Sequence, residues 1–289
     1  MNKKILILFF IASGSLSSFG QEFQGMAVYE SKTSTTDFKS RMEGNKELTP
    51  DMQKMIEERM KLMFEKTFLL YFGKTTSVYK EEEKLEAAGQ NPGFRMMSNM
   101  MGSGGTFYKN TKEKTYAVDK EFMGKEFLIQ DSLPKLAWKM EKETKQIGGY
   151  TCFKATAVRE ASKTDFRNFR MKKREEEKKE GEGKTNLLDE LNLPKEITIT
   201  AWYSPEIPIS QGPENYWGLP GLILEVNDGK TTILCSKVVL NLKDKVEIKA
   251  PTKGDIISQQ KYDETVIKKM EEFREMGGGR NGMQIRMGN

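Results

Sequence analysis

The side chains that most often carry catalysis and metal binding are scarce in this chain of 289 residues. It contains 47 Lys and Arg, 42 Asp and Glu, two Cys and no His. Without His, Ser-His-Asp and Cys-His nucleophile systems are excluded, and so are zinc and copper sites built on imidazole. Catalysis would have to rest on a carboxylate, a Lys, a Tyr or an unassisted thiol. This composition favours a protein that is not an enzyme.

Carboxylates are the remaining catalytic candidates. A glycoside hydrolase needs only two of them at a defined separation, and Glu206, Glu214 and Glu225 lie in or beside a turn-rich segment. Nothing in their spacing distinguishes two of them from the other acidic residues. The sequence therefore indicates no catalytic residue, no metal site and no cofactor, and a carboxylate-based hydrolase is only an alternative.

The two Cys, Cys152 and Cys235, are the other reactive groups. In an oxidising compartment a single pair of Cys is first interpreted as a disulfide. This bond would close a loop of roughly 80 residues and stabilise the fold by about 4 kcal/mol in the chain-entropy description. The alternative is two buried free thiols.

The N-terminal residues have the pattern of a secretory signal peptide, which we place at residues 1–20. Lys3 and Lys4 precede an apolar run over residues 5–12 that is well below the ~20 residues of a membrane span. We therefore predict an exported protein, in the periplasm or at the cell exterior, without a transmembrane segment after cleavage. The formal charge of +5 becomes +3 without these two lysines, which is too small to indicate nucleic acid or an acidic membrane as partner.

Short strands dominate the rest of the chain. Alternating apolar and polar residues recur about every ten residues between Phe23 and Leu240, as in a sandwich, a barrel or a wrapped sheet. A helix is predicted after Thr49, which can act as N-cap before Pro50. A second helix is predicted over residues 258–276 from its apolar spacing.

The domain organisation follows from where these patterns stop. We predict a single β-rich domain over residues 21–276, with insertions near 85–105 and 160–192 and a disordered tail at 277–289. The second insertion is a charge block with ten basic and nine acidic residues from Arg159 to Glu190. Because these charges nearly balance, they indicate a solvated insertion and not a one-signed surface for nucleic acid or lipid.

One stretch combines turn and aromatic residues, GPENYWGLPGLILEVNDGK from Gly212 to Lys230. Pro220 fixes φ, and Gly221 can supply the positive φ of a type II turn. No Gly-Lys-Ser/Thr is present and no helix follows, so a phosphate loop is not indicated. The candidate motif and binding residues are Trp138, Trp202, Tyr203, Pro208, Gly212, Pro213, Trp217, Gly218, Leu219, Pro220 and Gly221. They would form a rigid corner of the fold or the rim of a binding site.

The residues from about Trp138 to Leu240 resemble the GLPGLI family of exported proteins from Bacteroidetes-type bacteria. WGLPGLILEV carries the hexapeptide, and KQIGGYTCFKATA and AWYSPEIPISQGP resemble two further segments of that family. The resemblance implies a mainly β (α+β) protein without an established activity. Its expected form is a curved antiparallel sheet, similar to the half-barrels of periplasmic lipoprotein carriers, with one helix from the N-terminal half and one C-terminal helix.

Three functions are compatible with these expectations. The first is an exported, non-catalytic envelope protein that binds or carries a lipid-like ligand or a peptide segment on a concave apolar face, with the aromatic residues at its mouth. The second is an envelope assembly or structural factor that contacts a protein partner through the charged insertion. The third is the carboxylate-based hydrolase.

Overall fold

The structure, a computed structural model, describes residues 23–36, 39–40, 49–82, 105–165, 167, 170–171, 191–192 and 194–278. The predicted signal peptide, nearly all of the insertion predicted near residues 85–105, most of the charged insertion and residues 279–289 of the predicted tail lie outside the described residues. The described part is mainly β with two long helices, which confirms the predicted fold class.

The elements are numbered here in chain order. The strands are β1 (Gly25–Thr33), β2 (Glu65–Phe72), β3 (Thr76–Glu81), β4 (Phe107–Asn110), β5 (Thr115–Phe122), β6 (Lys125–Ser132), β7 (Lys139–Ile147), β8 (Tyr150–Glu160), β9 (Arg170–Met171), β10 (Leu191–Asn192), β11 (Glu196–Ser204), β12 (Leu222–Asn227), β13 (Thr231–Leu240) and β14 (Asp255–Ile257). The helices are α1 (Pro50–Phe64) and α2 (Gln259–Gly278).

Twelve of these strands form one open sheet. Their order is β14-β6-β5-β4-β3-β2-β1-β13-β12-β11-β8-β7, and β9 pairs with β10 separately. All neighbours in the large sheet are antiparallel except β14, which runs parallel to β6. The sheet is therefore mixed at one edge, where the sequence predicted antiparallel pairing throughout. The first strand, β1, lies near the centre, between β2 and β13.

Contacts across the sheet show that it is curved. Strands β12 and β3 are four places apart, about 19 Å in a flat sheet. Yet the backbone carbonyl of Gln211 accepts a hydrogen bond from Ile223 N on β12 (3.0 Å), while its side-chain oxygen accepts one from Ser77 Oγ on β3 (2.9 Å). A single residue can hydrogen-bond to both strands, through its backbone and its side chain, only if the sheet curves and brings them close together. The predicted curved sheet is confirmed.

Buried side chains line the inner face of this curve, which we define by Ala27, Tyr29, Phe68 and Leu70. All four are at most 1% exposed. Their positions follow the two-residue alternation of β1 and β2, as the apolar pattern of these strands requires. The inner face is thus the main core of the domain.

The two helices attach to the sheet at different places. Helix α2 packs Tyr262 and Val266 against β6, where the Tyr262 ring meets the Phe127 ring edge-on at 5.4 Å. Helix α1 buries Met60 and Met63 near its C-terminal end. Its predicted start is confirmed, because the Thr49 side chain accepts a hydrogen bond from Met52 N (3.3 Å).

Candidate functional site

The segment between β11 and β12, residues 205–221, is called the motif loop here. Its first half runs beside β12, where Leu222 N donates to Ile207 O (2.9 Å). Ile207 and Ile209 are buried in the same cluster as Tyr29. The motif loop therefore fills part of the inner face with the chain's own side chains.

A buried lysine on β4 holds the middle of the motif loop. Lys109 is 0% exposed, and its Nζ donates hydrogen bonds to Gly212 O (2.5 Å) and Tyr216 O (3.0 Å). Burial lowers the pKa of Lys109 to about 7, and the nearby charge of Glu214 only partly opposes this effect. Lys109 lies opposite the buried Ser77 in the β3–β4 register. No motif in the sequence marks this lysine as a functional residue.

An ion-pair network connects the motif loop to the start of the charged insertion. Arg167 contacts both oxygens of Glu214 (2.6 and 3.2 Å) and Asp165 (3.0 Å), and all three side chains are at most 16% exposed. Burial alone would raise the pKa of Asp165, but the Arg167 guanidinium holds it below its ordinary value. Thr164 Oγ1 also donates to Asp263 Oδ1 on α2 (2.6 Å). Three distant parts of the sequence are thereby fixed together.

The glycines of the motif are required by geometry. The predicted type II turn is wrong, because Gly218 has the positive φ (+96°) and Gly221 does not. A Cβ on Gly221 would lie 2.2 Å from Ser204 O, and one on Gly212 would lie 2.9 Å from the Ile223 side chain. Gly221 and Gly212 thus serve close packing, and this favours the rigid-corner interpretation of the motif.

The three Trp residues do not form one group. Trp138 Nε1 donates to Trp217 O (2.8 Å), and Trp217 Nε1 donates to Pro134 O (2.8 Å). Trp202 packs against the inner-face cluster, with Lys145 Nζ 4.3 Å from the centre of its ring. The structure therefore brings Trp138 and Trp217 together at the motif loop, whereas Trp202 lies against the inner-face cluster.

The remaining candidate residues differ in exposure. The buried ones are Tyr203, Gly212, Pro213, Leu219 and Gly221, and the exposed ones are Pro208, Gly218 and Pro220. Gly218 N donates to Ser210 Oγ (2.9 Å), so this part of the loop is also bonded within the chain. These contacts describe a packed corner.

The two Cys are free thiols in the structure, so the predicted disulfide is not present in it. Both are buried in the inner-face cluster. Strands β11 and β12 lie between β8, which carries Cys152, and β13, which carries Cys235, but both thiols belong to this one cluster. Burial raises the pKa of Cys152 to about 11 and that of Cys235 to about 12. The disulfide remains a prediction for the protein in an oxidising compartment.

The carboxylates considered for hydrolysis have separate partners. Glu206 accepts a hydrogen bond from Thr151 N (2.8 Å), and Glu225 pairs with Lys145 (2.6 Å). Glu214 is held by Arg167. Each of these acids is therefore occupied by a different donor.

Among the described residues, no group of three or more Cys, Asp or Glu is placed to hold a metal ion. Neither helix described there is long and apolar enough to span a bilayer.

A family model matches the region of the motif. It is described as a protein of unknown function (Porph_ging), a family found in Bacteroidetes, and it covers residues 138–225. The search of curated proteins gives no match.

Among solved structures, two crystal forms of PNGF-II, in space groups C2 and P21, are similar at 12% identity and a TM-score of 0.45. The matches cover 85% and 86% of this chain and 33% of the other, so the chain spans about a third of those structures. Similarity this low supports no inference about function.

Proposed function

We propose that this protein is an exported, non-catalytic binding module of the bacterial envelope that engages a protein or peptide partner. We also propose that it belongs to the GLPGLI family. Both proposals draw on the N-terminal signal pattern, the absence of His and the WGLPGLILEV segment. The match to an unknown-function family over residues 138–225 includes that segment.

The observation that carries the choice of partner is the filled inner face. A carrier of an apolar ligand would use that face, but Ile207 and Ile209 of the motif loop already pack there beside Tyr29. Entry of a ligand would have to displace them and break the hydrogen bonds from Lys109 to the loop. The outer surface is therefore the better candidate for binding.

The start of the charged insertion is held to the domain, and this supports a role for the insertion in binding an envelope protein partner. Arg167 ties this part of the chain to the motif loop through Glu214. A partner that contacts the insertion would therefore be attached to the domain at a fixed point. The hydrolase alternative receives no comparable support, since Glu214 and Glu225 make ion pairs with Arg167 and Lys145, and Glu206 accepts a hydrogen bond from Thr151 N.

Native mass spectrometry of the protein from residue 21, purified gently from the exporting cell, tests this function. We expect the bare mass or a complex with a polypeptide. Titration with an environment-sensitive fluorescent fatty acid should give no saturable 1:1 binding. A stoichiometric lipid-sized mass together with saturable uptake of the fatty acid would contradict the proposal and support the carrier function.

A further inference from the structure

One end of the sheet carries a row of lysines. The strand register places Thr76, Asn110, Thr115 and Ser132 side by side at this end, and Phe72 lies beside Ser77, the neighbour of Thr76. The connections that follow these positions are residues 73–75, 111–114 and 133–135. They carry Lys74, Lys112, Lys114 and Lys135, which we call the lysine rim; all four are exposed.

Hydrogen bonds join the three connections into one surface. Thr111 N and Oγ1 both donate to Thr75 O (2.8 and 3.1 Å). Leu133 N donates to Lys114 O (2.8 Å). Asn110 Oδ1 accepts from two backbone N–H groups of the 111–114 turn, at 3.1 Å each. The backbone of the rim is therefore held by hydrogen bonds between and within the connections.

The rim lysines lack the carboxylate partners that several other surface lysines of the described residues have. Lys125 pairs with Asp255 (3.0 Å), and Lys269 pairs with Glu272 (2.7 Å). Within the described part of the chain, none of the four rim lysines makes an ion pair. Glu113 is the one acidic residue in the three connections. The rim is thus a local positive surface in a chain whose overall charge is only weakly positive.

We infer that the lysine rim docks an acidic, extended segment of a protein partner. The row runs from β6 to β2, four strand spacings or about 19 Å, and about six residues of extended chain cover the same length. Carboxylates on alternate residues of such a segment would all face the rim. This inference rests on the proposed function, because it specifies the chemistry of the partner.

The shape of the rim favours a polypeptide over an anionic membrane. A peripheral membrane site combines basic residues with apolar side chains that enter the lipid. None of the exposed large apolar side chains of the described residues lies in the three connections. A narrow polar row also suits a single strand better than a plane of head groups.

The test is fluorescence anisotropy with a labelled peptide of alternating Glu and Ser, ten residues long, and the whole protein from residue 21. Saturable 1:1 binding at low salt is expected, weakening as salt is added. The rim variant carries Lys74→Gln, Lys112→Gln and Lys135→Gln. The control variant carries Lys249→Gln, Lys253→Gln and Lys269→Gln, three exposed lysines with carboxylate partners.

We expect the rim variant to bind the peptide about tenfold more weakly, the loss that three exposed ion pairs of about 0.5 kcal/mol each would cause. The control variant, with the same net charge, should stay within about twofold of the original protein on the same scale. Equal weakening by both variants would overturn the inference, since net charge alone would then explain binding.

Two further outcomes would also overturn the inference. One is the absence of saturable peptide binding, and the other is binding to phosphatidylglycerol vesicles without binding to the peptide. If native mass spectrometry still shows a co-purifying polypeptide in these cases, the proposed function stands and only the rim assignment fails. A stoichiometric lipid ligand in that experiment would remove the proposed function itself.

Discussion

Replacing Lys109 by Met should remove most of the pH dependence of stability near neutrality. The buried amine has a pKa of about 7 in the folded protein, against 10.5 ordinarily. Between these values the unfolded chain binds one more proton than the folded chain. The free energy of unfolding therefore rises with pH as Lys109 loses its proton, and it is lowest below pH 7, where the fold must bury the charge.

The size of this effect follows from the two pKa values. Integrated from pH 6 to pH 8.5, the rise is about 2 kcal/mol. This window contains no competing imidazole, because the chain has no His. The thiols act in the opposite direction, since burial raises the pKa of Cys152 from 9.0 to about 11. The unfolded thiols would ionise first and lower stability above about pH 9, so the window ends below that value.

Urea unfolding followed by Trp fluorescence, under reducing conditions at several pH values from 6 to 8.5, measures the effect. The wild-type midpoint should rise with pH, and the Lys109→Met midpoint should change much less. Burial also lowers the pKa of Lys120, but that residue is present in both proteins and its effect cancels in the comparison. The control is Lys112→Met, which alters an exposed lysine in the neighbouring turn and should keep the wild-type slope.

Two results would refute this reasoning. A wild-type midpoint that does not change over the window would mean that Lys109 is not a desolvated, titrating amine. A Lys109→Met protein that keeps the full slope would assign the effect to another group. The absolute stability of the variant is not the criterion, because it also leaves the carbonyls of Gly212 and Tyr216 without their donor.

Three further predictions concern packing, buried charge and the thiols. Gly221→Ala should lower the free energy of unfolding by about 3 kcal/mol, because the new methyl group would clash with Ser204 O. Gly229→Ala should cost only about 1 to 2 kcal/mol, because its methyl group would enter open space and only the positive φ is unfavourable. Equal urea midpoints for the two variants would contradict this prediction. Arg167→Met should cost about 3 kcal/mol, because it removes the guanidinium that the largely buried carboxylates of Asp165 and Glu214 share, and the exposed-pair variant Lys253→Met should cost less than about 1 kcal/mol. In the reduced protein, Ellman's reagent at pH 8 should label both thiols at under about 1% of the rate seen in urea; fast native labelling would show that they are accessible.

The sheet could be predicted from the sequence because its signals are local. Alternation in β1 and β11, and the cap residues Thr49 and Pro50, depend on neighbouring residues only. The curvature could not be read in this way, since it rests on contacts such as that between Ser77 and Gln211, which are 134 positions apart. The pairing of β1 with β13 is long-range for the same reason.

The sequence predicts which residues form the motif segment, but not the contacts that hold this segment in place. The motif segment was identified, yet its φ requirement was assigned to Gly221 and belongs to Gly218. Lys109 was missed because an isolated lysine in a strand is normally solvated, and only the three-dimensional arrangement shows that two loop carbonyls replace its water. Arg167 is part of the charge block for which the sequence predicts exposure to solvent. Its partner Glu214 lies in the motif loop, so the pair is formed only in the folded protein.

The position of β1 beside β13 also sets an order of events for a secreted chain. If the chain emerges through the export channel with its N-terminus first, one side of β1 has no partner until residues 231–240 have crossed. Lys109 likewise stays hydrated until Gly212 and Tyr216 arrive. If the proposed export holds, the precursor therefore could not close its core while most of its length is still inside the cell. Such non-local pairing is expected to make folding slow.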